Sequence, residues 1–171
     1  MNWILILILV ALTIYAFYNV FALGMFGIPK SLSTTFYLFE ERKSWLRIWF
    51  PIMMISVAFL LIPAWLELSA NSSFQFLAFL APSAIIFTGA APAFKRSELE
   101  NVVHTTSAIM AAITALLWVG LVAHLWQVIL LWTGVIIMVM FISRTVKTSY
   151  IYWLETIAFL STFTSLMGYY L

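Results

Sequence analysis

Few side chains in this chain are able to do chemistry. Its 171 residues include two histidines, His104 and His124, and six glutamates, Glu40, Glu41, Glu67, Glu98, Glu100 and Glu155, with no aspartate and no cysteine. Disulfides and thiolate metal sites are therefore excluded. His104 and His124 stand twenty positions apart, about 30 Å along a helix, so a single haem cannot take both. A hydrolytic zinc needs three nitrogen or oxygen ligands and an open position. His104 with Glu98, Glu100 or Glu155 barely reaches that number, and no metal or cofactor is expected. A phosphate-cradling G-x-x-x-x-G-K-[ST] loop and a G-x-S-x-G nucleophile turn are both absent.

Two ionisable residues stand out because of what surrounds them. The chain is 65% hydrophobic and 8% charged, with a mean hydropathy of +1.10. Soluble domains are about 25% charged, so a water-soluble globule is excluded, as is disorder. Eight Lys and Arg in 171 residues are too few for a nucleic-acid footprint. In a membrane segment, His104 and Glu155 are expensive to bury and become candidates for a functional site. Around them the sequence gathers Asn19, Ser33, Tyr37, Glu100 and Arg144 as candidate ligand-binding residues. The plain structural reading sits beside this one: an interhelical hydrogen bond for His104, and an ion pair with Arg144, Lys147 or a neighbouring cation for Glu155.

The elements that position these residues are six apolar segments, near 2–23, 45–65, 74–94, 102–122, 125–143 and 150–170. Each approaches the ~20 residues that cross a bilayer, and in lipid such segments must be helical. The first carries no Lys or Arg before its apolar run and is too long for a cleaved signal, so it reads as a span. The expected fold is all-α, one membrane domain over 1–171, a bundle of six transmembrane helices. All eight Lys and Arg fall in or beside three connections, at 30–47, 95–96 and 144–147. The positive-inside rule places those connections in the cytoplasm and both termini outside. A turn is required near 120–126, because one helix over 102–143 would be about 63 Å long.

Small residues at helical spacing, Ala81, Ala84, Thr88 and Ala91 against Ser107, Ala108, Ala111, Ala112 and Ala115, predict a closely packed antiparallel pair. Pro82 predicts a bend within the third segment, and Pro92 an end to it. Trp45, Trp49, Trp65, Trp126, Tyr150, Tyr152, Trp153, Tyr169 and Tyr170 read as interfacial anchors.

Between the first two segments, Gly24 to Pro29 breaks the helix. Leu32, Phe36 and Phe39 then share one side of a short segment over 30–43. This reads as an amphipathic helix in the interface. The sharper alternative is a re-entrant lid with Ser33, Thr35 and Tyr37 turned inward. The runs PKSLSTTFYLFE, LIPAWLE and GAAPAF followed by VVH, within residues 24–108, resemble a group of small bacterial and phage integral membrane proteins. That resemblance implies a bacterial cytoplasmic-membrane location and no particular activity.

The resulting expectation is a multi-pass membrane protein that binds or transports a small molecule or lipid through a cytoplasm-facing polar cavity. The alternatives are an intramembrane enzyme acting on a lipid head group, with His104 as acid/base and Glu155 as its partner, and a structural subunit of a membrane complex. The bilayer and a small molecule or lipid are the expected partners, a homo-oligomer stands open beside them, and nucleic acid is excluded.

Overall fold

The computed structural model describes residues 3–171; the expected helix start at Asn2 lies outside them. These residues form seven α-helices and no strand: α1 Trp3–Phe26, α2 Thr35–Arg42, α3 Trp49–Ser69, α4 Leu77–Ala90, α5 Glu98–Leu121, α6 Trp126–Ile142 and α7 Tyr150–Tyr170. A single 3-10 turn, Leu46–Ile48, leads into α3. Three stretches, Trp3–Phe26, Leu46–Ser69 and Glu98–Leu121, are long and apolar enough to cross a membrane. Helices α4 and α6 are apolar but shorter, at 14 and 17 residues. At the helical rise they extend about 21 and 25 Å.

Local chemistry sets the helix ends. Gly27, at φ 69°, closes α1, and its N–H bonds the Leu23 carbonyl, a left-handed cap that glycine forms without steric cost. Pro92 follows the last residues of α4 and stops it. Ser97 caps α5 by accepting from Glu100 N, and Glu98 and Glu100 sit in that first turn, where the dipole favours carboxylates. The α5–α6 turn falls at Val122–Leu125, with His124 exposed at φ 55°. The expected span at 74–94 begins later than its hydropathy indicates: residues 72–76 form successive turns before α4 starts at Leu77.

Helices α1, α3, α4, α5 and α7 form a closed ring in which each touches the next, and α7 returns to α1. Helix α6 packs outside this ring against α7 and α5 and buries only Ile136. The small-residue pair is the most extensive contact in the molecule. Ala81, Ala84, Thr88, Ser107, Ala111 and Ala115 are all buried, and Thr88 Oγ1 donates to Ser107 Oγ at 3.0 Å. Nearby, Gly89 lets α4 approach α3: a Cβ there would lie 2.9 Å from Met54 Cβ.

Outward faces are apolar on every ring helix and on α6. Phe17 and Val20 of α1, Phe59 of α3, Phe87 of α4, Ile113 of α5, Leu130 of α6 and Leu154 of α7 are all exposed. Such a continuous apolar exterior is foreign to water-soluble monomers.

The three basic connections meet at one end of the bundle. Tyr37 of α2 lies against Lys95, and Glu40 pairs with both Arg47 and Arg96. Lys30 O accepts from Tyr152 N at 3.2 Å, and Ile28 O accepts from Ser149 Oγ at 3.4 Å.

Candidate functional site

The segment that follows α1 turns back into the bundle. Ser31 and Thr34 bond each other's backbone N–H groups and close a tight turn. Leu32, Ser33, Thr35, Phe36 and Phe39 are buried. Phe39 fills an aromatic cluster with Tyr18, Phe21 and Phe26, and Tyr18 OH bonds Thr35 Oγ1. The apolar side of α2 thus faces α1 rather than lipid. Ser33 and Thr35 point inward as the lid reading expects, whereas Tyr37 faces outward, where its hydroxyl accepts from Lys95 N at 2.6 Å.

Glu155 anchors this turn. Its Oε2 accepts from Leu32 N at 2.6 Å. The expected ion pair is not formed: among the described residues no Lys or Arg pairs with Glu155, and both ion pairs belong to Glu40. Arg144 is exposed at φ 55° in the α6–α7 turn.

Glu155, Leu32 and Ser33 stand at one end of a central cavity. Phe50, Met54, Leu61 and Trp65 of α3, Ile85 and Thr88 of α4, four alanines of α5, and Ala158, Phe159 and Thr162 of α7 complete its walls. Its volume is about 40 Å³. Its walls on α5 and α7 run from Ala108 to Ala115 and from Glu155 to Thr162, seven positions on each helix, so it extends about 10 Å along the bundle. It is a narrow slot with apolar walls and the Glu155 carboxyl group near one end. The candidates Asn19, His104 and Glu155 belong to α1, α5 and α7 and would set the expected polar cavity between those helices. The slot instead opens among α3, α4, α5 and α7, and no α1 residue lines it.

Of the candidate site residues, Ser33 and Glu155 line this slot, and the others do not. Asn19 donates from Nδ2 to Tyr15 O at 2.8 Å and accepts from Tyr152 OH at 3.1 Å, a bridge between α1 and α7. His104 Nδ1 lies 3.1 Å from Thr88 O. That carbonyl can only accept, so the proton is on Nδ1. The ring also stacks on Phe94 at 4.4 Å. His104 therefore satisfies a free carbonyl in the last turn of α4. No hydrogen bond or ion pair among the described residues links it to Glu155. Glu100 belongs to the first turn of α5, and Tyr37 to the surface beside Lys95.

Trp65, expected as an interfacial anchor, is wholly buried, and Tyr152 and Trp153 are buried too. Their positions near helix ends suggested interface, but neighbouring helices cover them. Among the described residues Trp65 Nε1 has no hydrogen-bond partner. Trp118, packed edge-on against it, does have one, donating to Ser69 Oγ at 2.8 Å. The alanines of α5 were legible only as packing residues. Ala108, Ala111, Ala112 and Ala115 also make the slot, because nothing larger fills the space opposite Met54 and Leu61. Among the described residues no group of three His or Glu side chains is placed to hold a metal.

Comparison with family models, with curated proteins and with solved structures gives no match.

Proposed function

We propose that this chain is a six-span integral membrane protein of the bacterial cytoplasmic membrane, with both termini outside, that binds a small molecule or lipid in its central slot. The observation that carries the reading is the Glu155 carboxyl group, set at the end of an apolar cavity with no counter-charge among the described residues. An ionisable group so placed is costly in a membrane and is kept where it contacts something that moves or binds. The apolar exterior of six helices supports the spans. The gathering of every basic connection at one end supports the orientation. The Leu32–Ser33 turn covers the slot at that end, so entry from the cytoplasm passes this turn. Transport would require a second opening near Trp65. No observation favours the enzyme reading, since His104 is committed to the α4 carbonyl.

The absence of cysteine makes the test direct. Single cysteines at Ser33, Ala112 and Ala158 line the slot, whereas one at Ala58 is buried outside it. A small cationic methanethiosulfonate applied to membrane vesicles should modify the first three and leave Ala58→Cys unmodified. Reactivity at Ala112→Cys no greater than at Ala58→Cys would end the binding reading.

A further inference from the structure

The slot is too small for most organic ligands and well suited to the smallest polar one. We infer that it holds a short file of water, and that Glu155 takes up and releases a proton through that file. This rests on the binding reading above and names the occupants of the site: water and a proton.

Volume comes first. One water needs about 10–15 Å³ of cavity, so a slot of about 40 Å³ holds roughly three. Three waters at hydrogen-bond spacing of about 2.8 Å reach about 8 Å, which matches a slot of about 10 Å.

Polarity comes second. A cavity lined by hydrocarbon alone stays dry. Ser33, Thr88, Glu155 and Thr162 interrupt the apolar walls of this one. Glu155 and Thr162 mark its two ends on α7, and Thr88 reaches it from α4. Thr88 and Thr162 donate to the carbonyls of Ala84 and Ala158 at 2.8 and 2.9 Å, and their oxygens keep lone pairs for a water donor. The Ser33 hydroxyl makes no hydrogen bond among the described residues.

The third observation is the state of the Glu155 carboxyl group. Oε2 accepts from Leu32 N, which a carboxylic acid and a carboxylate do equally well. Oε1 has no partner among the described residues, and the side chain is partly exposed. In the acid form the proton therefore sits on Oε1, where a water can receive it. On release the Oε1–H bond breaks as an O–H bond forms on that water, and the electron pair stays with the carboxylate. The Leu32 bond survives both states, so the turn need not open.

Neighbouring groups leave Glu155 free to exchange. The titratable side chains acting on it are the phenols of Tyr15 and Tyr18 on α1 and of Tyr152 on α7. His104 of α5 is turned to Thr88 O. Helices α4 and α6 contain no titratable residue, and α3 has only Glu67, beyond the slot. Lys30, Arg144 and Lys147 are exposed, and none pairs with Glu155. The slot covers about a third of the ~30 Å hydrocarbon layer, so it is a proton site with one approach rather than a pore.

The test uses the full chain in lipid and two readouts. X-ray radiolysis of bound water oxidises the side chains beside it. Met53 and Met54 are both buried, and only Met54 lines the slot, so Met54 should be oxidised faster than Met53. Ala112→Leu, which fills the slot, should bring Met54 down to the rate of Met53. Infrared difference spectra between high and low pH should contain a carboxylic acid carbonyl band that shifts promptly in heavy water and is lost in Glu155→Gln; Ala112→Leu should delay the shift. Equal oxidation of Met53 and Met54 would overturn the water file. Faster Met54 oxidation without a Glu155-dependent band would overturn the proton exchange and leave a hydrated slot. The Met54 readout and Ala112→Leu keep the inference open to refutation if Glu155→Gln does not fold. Where both readouts fail, slot-lining cysteines that still react leave the broader binding reading standing, and unreactive ones remove it too.

Discussion

Leu32 N–H donates to Glu155 Oε2 at 2.6 Å, joining two residues 123 positions apart. The bond ties the turn after α1 to the first turns of α7. Lys30 O and Ile28 O bond α7 and the residue before it in the same way. Glu155 therefore holds shut the segment that covers the slot.

Removing that acceptor has a calculable cost. Glu155→Ala leaves the Leu32 N–H, in a buried residue, without a partner. Such a loss is worth about 1–3 kcal/mol. Residues 30–34 should exchange their amide hydrogens faster in Glu155→Ala, while Glu155→Gln should keep most of their protection. Equal exchange in wild type and Glu155→Ala would show that the bond does not hold the turn.

Two glycines make a paired prediction about packing. A Cβ at Gly89 would sit 2.9 Å from Met54 Cβ and 3.2 Å from Ile55 Cγ1, whereas nothing lies within 4 Å of one at Gly134. Met54 Cβ is fixed to backbone and cannot swing away, so Gly89→Ala must part α3 from α4, at about 1–3 kcal/mol. Gly134→Ala, within α6, should instead stabilise by roughly 0.5–1 kcal/mol by restricting the unfolded chain and favouring helix. Thermal unfolding in one detergent should move the two variants in opposite directions.

The helices were largely legible in the sequence because lipid allows only one backbone solution for long apolar runs. The α4–α5 contact was legible for a related reason: small residues at spacings of three and four mark close approach. The site was less legible. Periodicity marks a buried face but not which neighbour covers it. Asn19, His104 and Glu155 thus suggested one polar cluster, although they satisfy three separate partners: Tyr152, Thr88 and Leu32. Trp65 was hidden for the same reason, since a tryptophan near a helix end is equally consistent with the lipid interface and with burial under a neighbouring helix. The slot itself is a gap between α3 and α5, and no residue type announces a gap.

Outside the spans, Glu40 gives a pH-dependent contact. Arg47 and Arg96 both donate to it, and these bonds hold its carboxyl below the ordinary 4.5. A group more acidic in the native state stabilises the fold where it is charged. The contribution is therefore present above about pH 4.5 and disappears as pH falls through the lowered native value. Because Arg96 belongs to the α4–α5 connection, acidification should loosen α2 from that connection. Exchange over residues 37–42, corrected for intrinsic rates, should rise as pH falls below 4.5 in wild type, and Glu40→Gln should show the raised rate at neutral pH. A wild-type profile that stays flat on acidification would remove the ion pairs as the tether.

The six-span arrangement makes the last prediction. If each of α1, α3, α4, α5, α6 and α7 crosses the bilayer, the connections alternate between its two faces. Ser44, Glu98 and Thr148 are exposed in or beside the basic connections, and Asn71 and Gln127 are exposed at the opposite turns. Single cysteines at the first three should react with an impermeant maleimide only in inside-out vesicles, and those at Asn71 and Gln127 only in intact cells. The short helix α4 is the critical case: at about 21 Å it spans the ~30 Å hydrocarbon layer only if the turns flanking it enter the membrane or the bilayer thins around it. Reaction of Asn71→Cys and Glu98→Cys from the same side would mean that α4 does not cross. Arg96 would then lie across the membrane from Glu40, which their ion pair forbids, so this pair of labels tests the bundle as well as the topology.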